Sequence, residues 1–357
     1  METTNEGQVF YKKALVNPVK AIAIILMFML HLLNTEWLAE PSMLLDFQIG
    51  GVLISKAVSD TCEFCIGIFA FTTGYGWNYG FGKKNIFRRI AEIYLSYFLV
   101  LFLFNIPTGI LFHEFDIQSL TTLKGIMILL SISSEGSRFC WYIYFYVLAV
   151  LTFPFLNKLI KKAKKNSIIT IGLILLSFIL LRTGTRICYG LGMFDRRVLS
   201  IIVHYLTWMP VILLGAYICD KSIFEFIDKK IRHIFGDSIA FPVILLSSIT
   251  LVKIFIQRYL GIYSNFDSVF IIPYMYAVIR IAAVLIQSEK CRKGINIIGS
   301  CSLYLWLTHS FLLYESIQPL LYVFRLPMFI IMAAIFFMMP ISWILFIFDK
   351  NLKTWIF

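Results

Sequence analysis

NPVKAIAIILMFMLHLL (residues 17–33) decides the class of this chain. Apart from Asn17, Pro18, Lys20 and His31, every residue in it is apolar. A run of this length and composition is what a transmembrane helix needs, about twenty residues at 1.5 Å rise each. Asn17 followed by Pro18 predicts the helix start, with Asn as N-cap and Pro at the first helical position. Lys20 then falls in the first turn, where its stem can snorkel to the headgroups. His31 falls well inside the hydrocarbon, where a polar ring requires a partner or a task.

The rest of the chain repeats the pattern. Of its 357 residues, 59% are hydrophobic, 17% aromatic and only 15% charged. A soluble domain carries about a quarter charged residues, so this composition does not supply a water-facing surface. The runs do not alternate, which excludes a β-barrel and predicts an all-α, polytopic integral membrane helix bundle. About ten spans are expected, near 18–37, 57–79, 90–112, 139–158, 167–182, 199–219, 238–256, 266–287, 297–318 and 327–348. Residues 1–357 read as a single transmembrane domain with no separate soluble domain. The first run lacks a small-residue cleavage pattern, so no cleavable signal peptide is expected. The outer segment near 113–138 contains TLKGIMILLSI, too short for a span and better suited to an interfacial or re-entrant helix.

The net charge of +12 is a topology signal, not a nucleic-acid footprint. Alternate segments hold 21 of the 32 Lys and Arg, including Lys12, Lys13, Lys20, Lys83, Lys84, Arg88, Arg89 and Lys158 to Lys165. The opposite segments hold nine, among them Arg182, Arg186, Arg196 and Arg197. The bias places the first set, and both termini, in the cytoplasm. Seven cysteines, mostly inside apolar runs, imply packed thiols and no disulfide framework. The one close pair, Cys62 and Cys65 in CEFC, lacks a second ligand pair, so no metal is expected.

Lys20 and His31 are eleven residues apart, about three turns, and share one helix face about 16 Å apart. That face suits a long cytosolic donor, with anionic phosphates near Lys20 and the reactive end at His31. A histidine bonded to a neighbouring helix would give the same pattern. His309, in SCSLYLWLTHSFLL, falls at a matching depth and is a candidate to meet His31; a hydrogen-bonded core histidine is the alternative. Glu63, in DTCEFCIGIFAFTTGYG, is a candidate to orient His31, as carboxylates orient catalytic imidazoles. Arg280, inside the eighth span, requires an anion. TTGYG (72–76), with Tyr75, leads into the basic KKNIFRR, either a positive-inside rim or a phosphate-binding mouth. No Walker loop or GxSxG motif is present, so neither a nucleotide hydrolase nor a serine nucleophile is supported.

With these residues in view, the chain resembles the acyltransferase family 3 integral membrane proteins. The family's first helix carries Arg, ten residues, then His; Lys20 and His31 have that spacing, with Lys in place of Arg and Asn17 in place of a frequent Asp. IFAFTTGYG, FRRIAEIYLSYF, FCWYIYFYVL and CSLYLWLTHSFLL resemble further family segments in the family's order. The resemblance implies ten membrane helices and transfer of an acyl group, usually acetyl, from cytoplasmic acetyl-CoA to a hydroxyl of an extracytoplasmic or lipid-linked cell-surface polysaccharide. On it, His31, Glu63 and His309 are the catalytic candidates. Lys20, Arg88, Arg89 and Tyr75 are the donor-binding candidates, and Trp141, Arg186, Arg196 and Arg197 the acceptor-binding ones. Lys20 keeps the family's charge but loses the bidentate fork of Arg.

The expected partners are acetyl-CoA as co-substrate, a cell-surface glycan acceptor and the lipid bilayer. A second copy of the chain or glycan-assembly proteins are the protein partners. The expected location is a cell membrane, crossed many times, in the manner of a bacterial cytoplasmic membrane protein. The rival is a transporter or flippase of lipid-linked sugars, which would use the same polar groups for passage.

Overall fold

The computed structural model describes residues 11, 13–34, 44–45, 47–49, 52–81, 85–132, 140–162, 167–193, 196–260 and 267–357. Lys12, Lys83, Lys84, Arg138, Lys164 and Lys165 lie outside the described residues. Among those described, the chain is almost entirely helical, with one minimal antiparallel ladder, β1 (Gln48–Ile49) and β2 (Val52–Leu53). The helices are α1 (Val16–Leu32), α2 (Ile54–Thr61), α3 (Phe64–Gly80), α4 (Ile86–Val100), α5 (Ile106–Leu111), α6 (Leu123–Leu129), α7 (Tyr142–Lys162) and α8 (Ser167–Gly190). They continue with α9 (Arg196–Asp220), α10 (Ile223–Phe235), α11 (Ala240–Leu260), α12 (Asp267–Leu285), α13 (Glu289–Ser300), α14 (Ser302–Thr308), α15 (Gln318–Tyr322) and α16 (Pro327–Ile356).

Eight of the described helical runs are long and apolar enough to cross a membrane. A ninth is the pair Glu289–Ser300 and Ser302–Leu313, bent by 55°. α3, with 17 residues, is at the short end of what spans a bilayer. Together these occupy the ten expected positions. The second expected span is broken at Cys62 and Glu63, between α2 and α3, and the ninth is broken at Cys301. The outer segment holds a 3₁₀ turn (Ile117–Thr121) and the seven-residue α6, far too short to cross, with Leu123 and Ile126 exposed.

The start of the first helix differs from expectation. A 3₁₀ turn, Lys13–Leu15, runs straight into Val16, so Asn17 lies inside the helical run and not at its N-cap. Pro18 is still in the first turn, where its missing N–H costs no intrahelical bond. The backbone of Asn17 packs against Gly299, where an added Cβ would sit 2.0 Å from the Asn17 carbonyl oxygen.

The chain divides into two compact units, 1–23, 64–84 and 151–299 in the first, and 24–63, 85–150 and 300–357 in the second. In the first unit α3 and α9 cross at close range: a Cβ on Gly74 would meet the Ile212 carbonyl oxygen at 1.8 Å, and one on Gly215 the Phe71 carbonyl oxygen at 2.3 Å. Small residues at such crossings let helices pack in lipid, where no hydrophobic force drives them together. Two polar clusters lie among these helices. Lys253 and Asp267 form a buried ion pair at 2.9 Å, with Lys253 Nζ 4.6 Å above the Phe64 ring. Arg280 meets Asp228 of α10 at 3.5 Å, and Asp228 also accepts from Arg232 and Tyr276. Asp228, with Asp237 at 3.6 Å, supplies the anion that Arg280 requires.

In the second unit, α4 and the residue after it, the start of α7, α14 and α16 share a core of Tyr97, Val100, Leu101, Ile143, Tyr304, Leu307 and Leu345. Asp349, buried in it, accepts from Tyr304 Oη at 2.5 Å and Ser96 Oγ at 3.2 Å, and pairs with Lys353 at 2.7 Å. Each partner offsets part of the cost of placing a carboxylate at depth.

Candidate active site

Two of the candidate catalytic residues, His31 and His309, meet in the second unit. Their ring centroids are 4.7 Å apart and the planes are tilted by 31°. Both side chains are buried, 7% and 2% exposed, so the pair lies out of water.

His31 occupies the last turn of α1. The final carbonyls of a helix lack intrahelical partners. Here two of them, on either side of His31, receive hydroxyls from other elements: Ser59 Oγ donates to the Leu30 carbonyl at 2.7 Å, and Tyr322 Oη to the Leu32 carbonyl at 2.5 Å. Just beyond, Lys56 Nζ donates to Asn34 Oδ1 at 3.2 Å and to Asp60 at 2.9 Å. The imidazole is therefore carried on a helix end tied from both sides. Glu63 is half-buried in the turn joining α2 to α3, one helical turn beyond Ser59. The α2 segment that precedes it is thereby fixed against the residue before His31.

His309 sits where α14 tightens into the 3₁₀ turn His309–Leu313. The change of helix type frees carbonyls. The Leu307 carbonyl is taken by Asn105 Nδ2 at 3.1 Å, and the Leu313 carbonyl by Gln318 Nε2 at 3.1 Å. Asn105 ends a π-helical turn, Leu101–Asn105, inserted between α4 and α5. His309 Nδ1 is hydrogen-bonded to the Trp306 carbonyl. A carbonyl only accepts, so in the neutral ring Nδ1 carries the proton and Nε2 the lone pair.

Of the other expected site residues in this unit, Trp141 packs on Tyr142 with centroids 5.8 Å apart, and Tyr142 on Trp306 at 5.8 Å. It thus reaches the backbone carbonyl that orients His309 through two rings. Arg88 is exposed; it pairs with Glu92 at 3.0 Å and lies 5.3 Å from the Phe357 ring centroid. Arg89 beside it is half-buried.

In the first unit, Lys20 is half-buried in the first turns of α1. Tyr75 is buried in an aromatic cluster, edge-on to Tyr11 at 5.1 Å and in line with Phe71 at 6.2 Å. Arg186, Arg196 and Arg197 are exposed at the end of α8 and the start of α9. Among the described residues no group of His, Cys, Asp and Glu side chains is arranged to hold a metal.

Sequence reasoning missed Ser59, Asn105, Gln318 and Tyr322. Asn105 carried a signal, an amide inside the apolar run LVLFLFNIP. Tyr322 carried none, because it follows the last expected catalytic residue in a short apolar stretch.

The acyltransferase family 3 model, described as an acyltransferase domain, matches residues 16–347. The chain belongs to this family. The matched segment begins at the first residue of α1 and ends within α16, so it takes in both histidines and nearly all the chain. No curated protein and no solved structure matches the chain. This is a membrane acyltransferase, and the fold is the polytopic helical one that family membership implies.

Proposed function

We propose that the protein is an O-acetyltransferase that moves acetyl from cytoplasmic acetyl-CoA to a hydroxyl of an extracytoplasmic or lipid-linked cell-surface polysaccharide. The observation that carries the reading is the buried His31–His309 pair at 4.7 Å, on backbone held by Ser59, Tyr322 and Asn105. In a dry site, positioning of this kind supplies much of the rate enhancement.

The step is acyl exchange. The acceptor oxygen attacks the thioester carbon, the C–S bond breaks, and the hydroxyl proton ends on the departing sulfur. A neutral imidazole can take that proton as the C–O bond forms and return it to the thiolate. His31 holds the base role and His309 orients it; an acetyl-imidazole on His31 is the covalent form of the same exchange. Glu63, one helical turn beyond Ser59, is assigned to orientation. Lys20, Arg88, Arg89 and Tyr75 are assigned to the donor, and Trp141, Arg186, Arg196 and Arg197 to the acceptor. The whole chain, both units included, acts as one acyltransferase domain in a multi-pass cell membrane.

The test is labelled acetyl-CoA incubated with purified protein and candidate glycans, beside His31→Ala. Label transfer by the wild type, lost in the variant while membrane insertion persists, is the expected result. Equal transfer by the variant rejects the site.

A further inference from the structure

A concave site lies in the first unit, one helical turn from Tyr75, whose ring is 6.0 Å from that of the lining residue Tyr79. It is a cleft of about 300 Å³ lined by Trp77, Asn78, Tyr79, Phe81, Phe153, Pro154, Asn157 and Lys161. That volume is at the lower end of small-molecule sites. Its walls are two helical stripes. On α7, Phe153, Asn157 and Lys161 recur every four residues and so share a face. On α3, Trp77 is followed four residues later by Phe81, just past the helix end.

The chemistry of the cleft is graded. At one end three rings meet: Trp77 and Phe153 at 4.8 Å, Trp77 and Phe81 at 5.1 Å, and Phe81 and Phe153 at 4.9 Å. Next come two amides, Asn78 and Asn157. Asn78 is fixed by donating from Nδ2 to Cys219 Sγ at 3.4 Å. At the far end stands Lys161, whose ammonium shares the Asp220 carboxylate (3.8 Å) with Lys221 (3.0 Å). Two cations against one carboxylate leave that end positive.

A flat ring, a hydrogen-bonding edge and an anion, in that order, describe a purine nucleotide. Aromatic faces stack on any base, an Asn amide matches the donor–acceptor edge of adenine, and lysine is a point-charge partner for phosphate. An aromatic cleft with amides would also suit a sugar. The charge pattern of the sequence favours the nucleotide. Phe81 and Lys161 stand directly before the Lys83–Lys84 and Lys162–Lys165 stretches, which the positive-inside bias assigns to the cytoplasm, the donor's side. We infer that this cleft binds the phosphorylated adenosine end of the acyl donor. The inference rests on the acetyl-CoA reading and adds to it a recognition site of its own.

The experiment uses the full chain in lipid nanodiscs, with adenosine 3′,5′-bisphosphate as the probe in titration calorimetry. The wild type should bind it, in competition with acetyl-CoA. Asn157→Ala and Lys161→Glu should each weaken binding by about tenfold or more, the loss expected for one charged or buried hydrogen bond. Both should raise KM for acetyl-CoA. Independently of any variant, an azidoadenine form of the probe should label a peptide containing 77–81 or 153–161. Labelling elsewhere, no binding by the wild type, or tighter binding of a neutral oligosaccharide overturns the inference. ATP binding in preference to the bisphosphate assigns the cleft to a free nucleotide and also overturns it. Acetyl transfer with KM unmoved by both variants defeats the cleft and leaves the acyltransferase reading standing. Cleft-dependent nucleotide binding by a protein that transfers acetyl from no CoA thioester does the reverse.

Discussion

At the residue scale, the site depends on which atoms hold the two imidazoles. The Leu32 carbonyl at the end of α1 has Tyr322 Oη as its partner at 2.5 Å. Tyr322→Phe keeps the packed ring and leaves that buried carbonyl unsatisfied, at a cost of about 1–3 kcal/mol. Because the bond adjoins His31, kcat should fall about tenfold while KM for the donor stays near wild type, as expected for misplaced catalytic geometry. Wild-type kcat in steady-state assays of this variant would reject the positioning role. Lys20 tests the donor side. A lysine offers a compact charge without the planar fork of an arginine. Lys20→Arg should retain most activity, and Lys20→Glu should lose it through reversed charge at a phosphate; equal rates in all three proteins would remove Lys20 from the donor site. His31 and His309 were legible in the sequence because a polar ring inside an apolar run is conspicuous. Their supports were not: Ser59 and Tyr322 act through backbone carbonyls, and a carbonyl has no sequence signature.

At the scale of elements, periodicity and apolar length located the helices, and local breaks decided what they present. The turn at Cys62–Glu63 divides a run that reads as one span, because neither Gly nor Pro marks the break, although the first half, ISKAVSDT, is mostly polar. The change to a 3₁₀ turn at His309 is hidden for the same reason. Asn17–Pro18 was a persuasive start signal, yet the preceding residues continue the helix as a 3₁₀ turn and the N-cap reading fails. Arg280 was legible as a charge in need of an anion, whereas its partner Asp228 lies on α10, 52 residues earlier in the chain. The Lys253–Asp267 pair joins α11 to α12 by the same logic, with both side chains under 5% exposed. Removing one partner strands a charge at depth and costs about 3–5 kcal/mol, whereas an apolar pair of similar volume is often neutral. Lys253→Met should therefore lower the thermal midpoint in detergent, and Lys253→Met with Asp267→Leu should recover most of the loss. A double variant as unstable as the single one would mean that the pair contributes more than mutual neutralisation.

At the scale of the molecule, the distribution of Lys and Arg assigns each segment to one side of the membrane. Two cysteines allow a direct check. Cys291 is exposed at the start of α13, between Lys290 and Arg292, in a segment that the charge bias assigns to the cytoplasm. Cys188 is half-exposed near the end of α8, beside Arg186, in a segment assigned to the opposite side. The other five cysteines are buried. A membrane-impermeant maleimide applied to intact cells should label Cys188 and spare Cys291, and permeabilisation should expose Cys291 as well. Cys188→Ser and Cys291→Ser identify the two signals. Labelling of Cys291 in intact cells would invert the topology. It would then place the Lys-rich stretches that follow Phe81 and Lys161 in the sequence outside the cytoplasm, on the side an acyl-CoA does not reach.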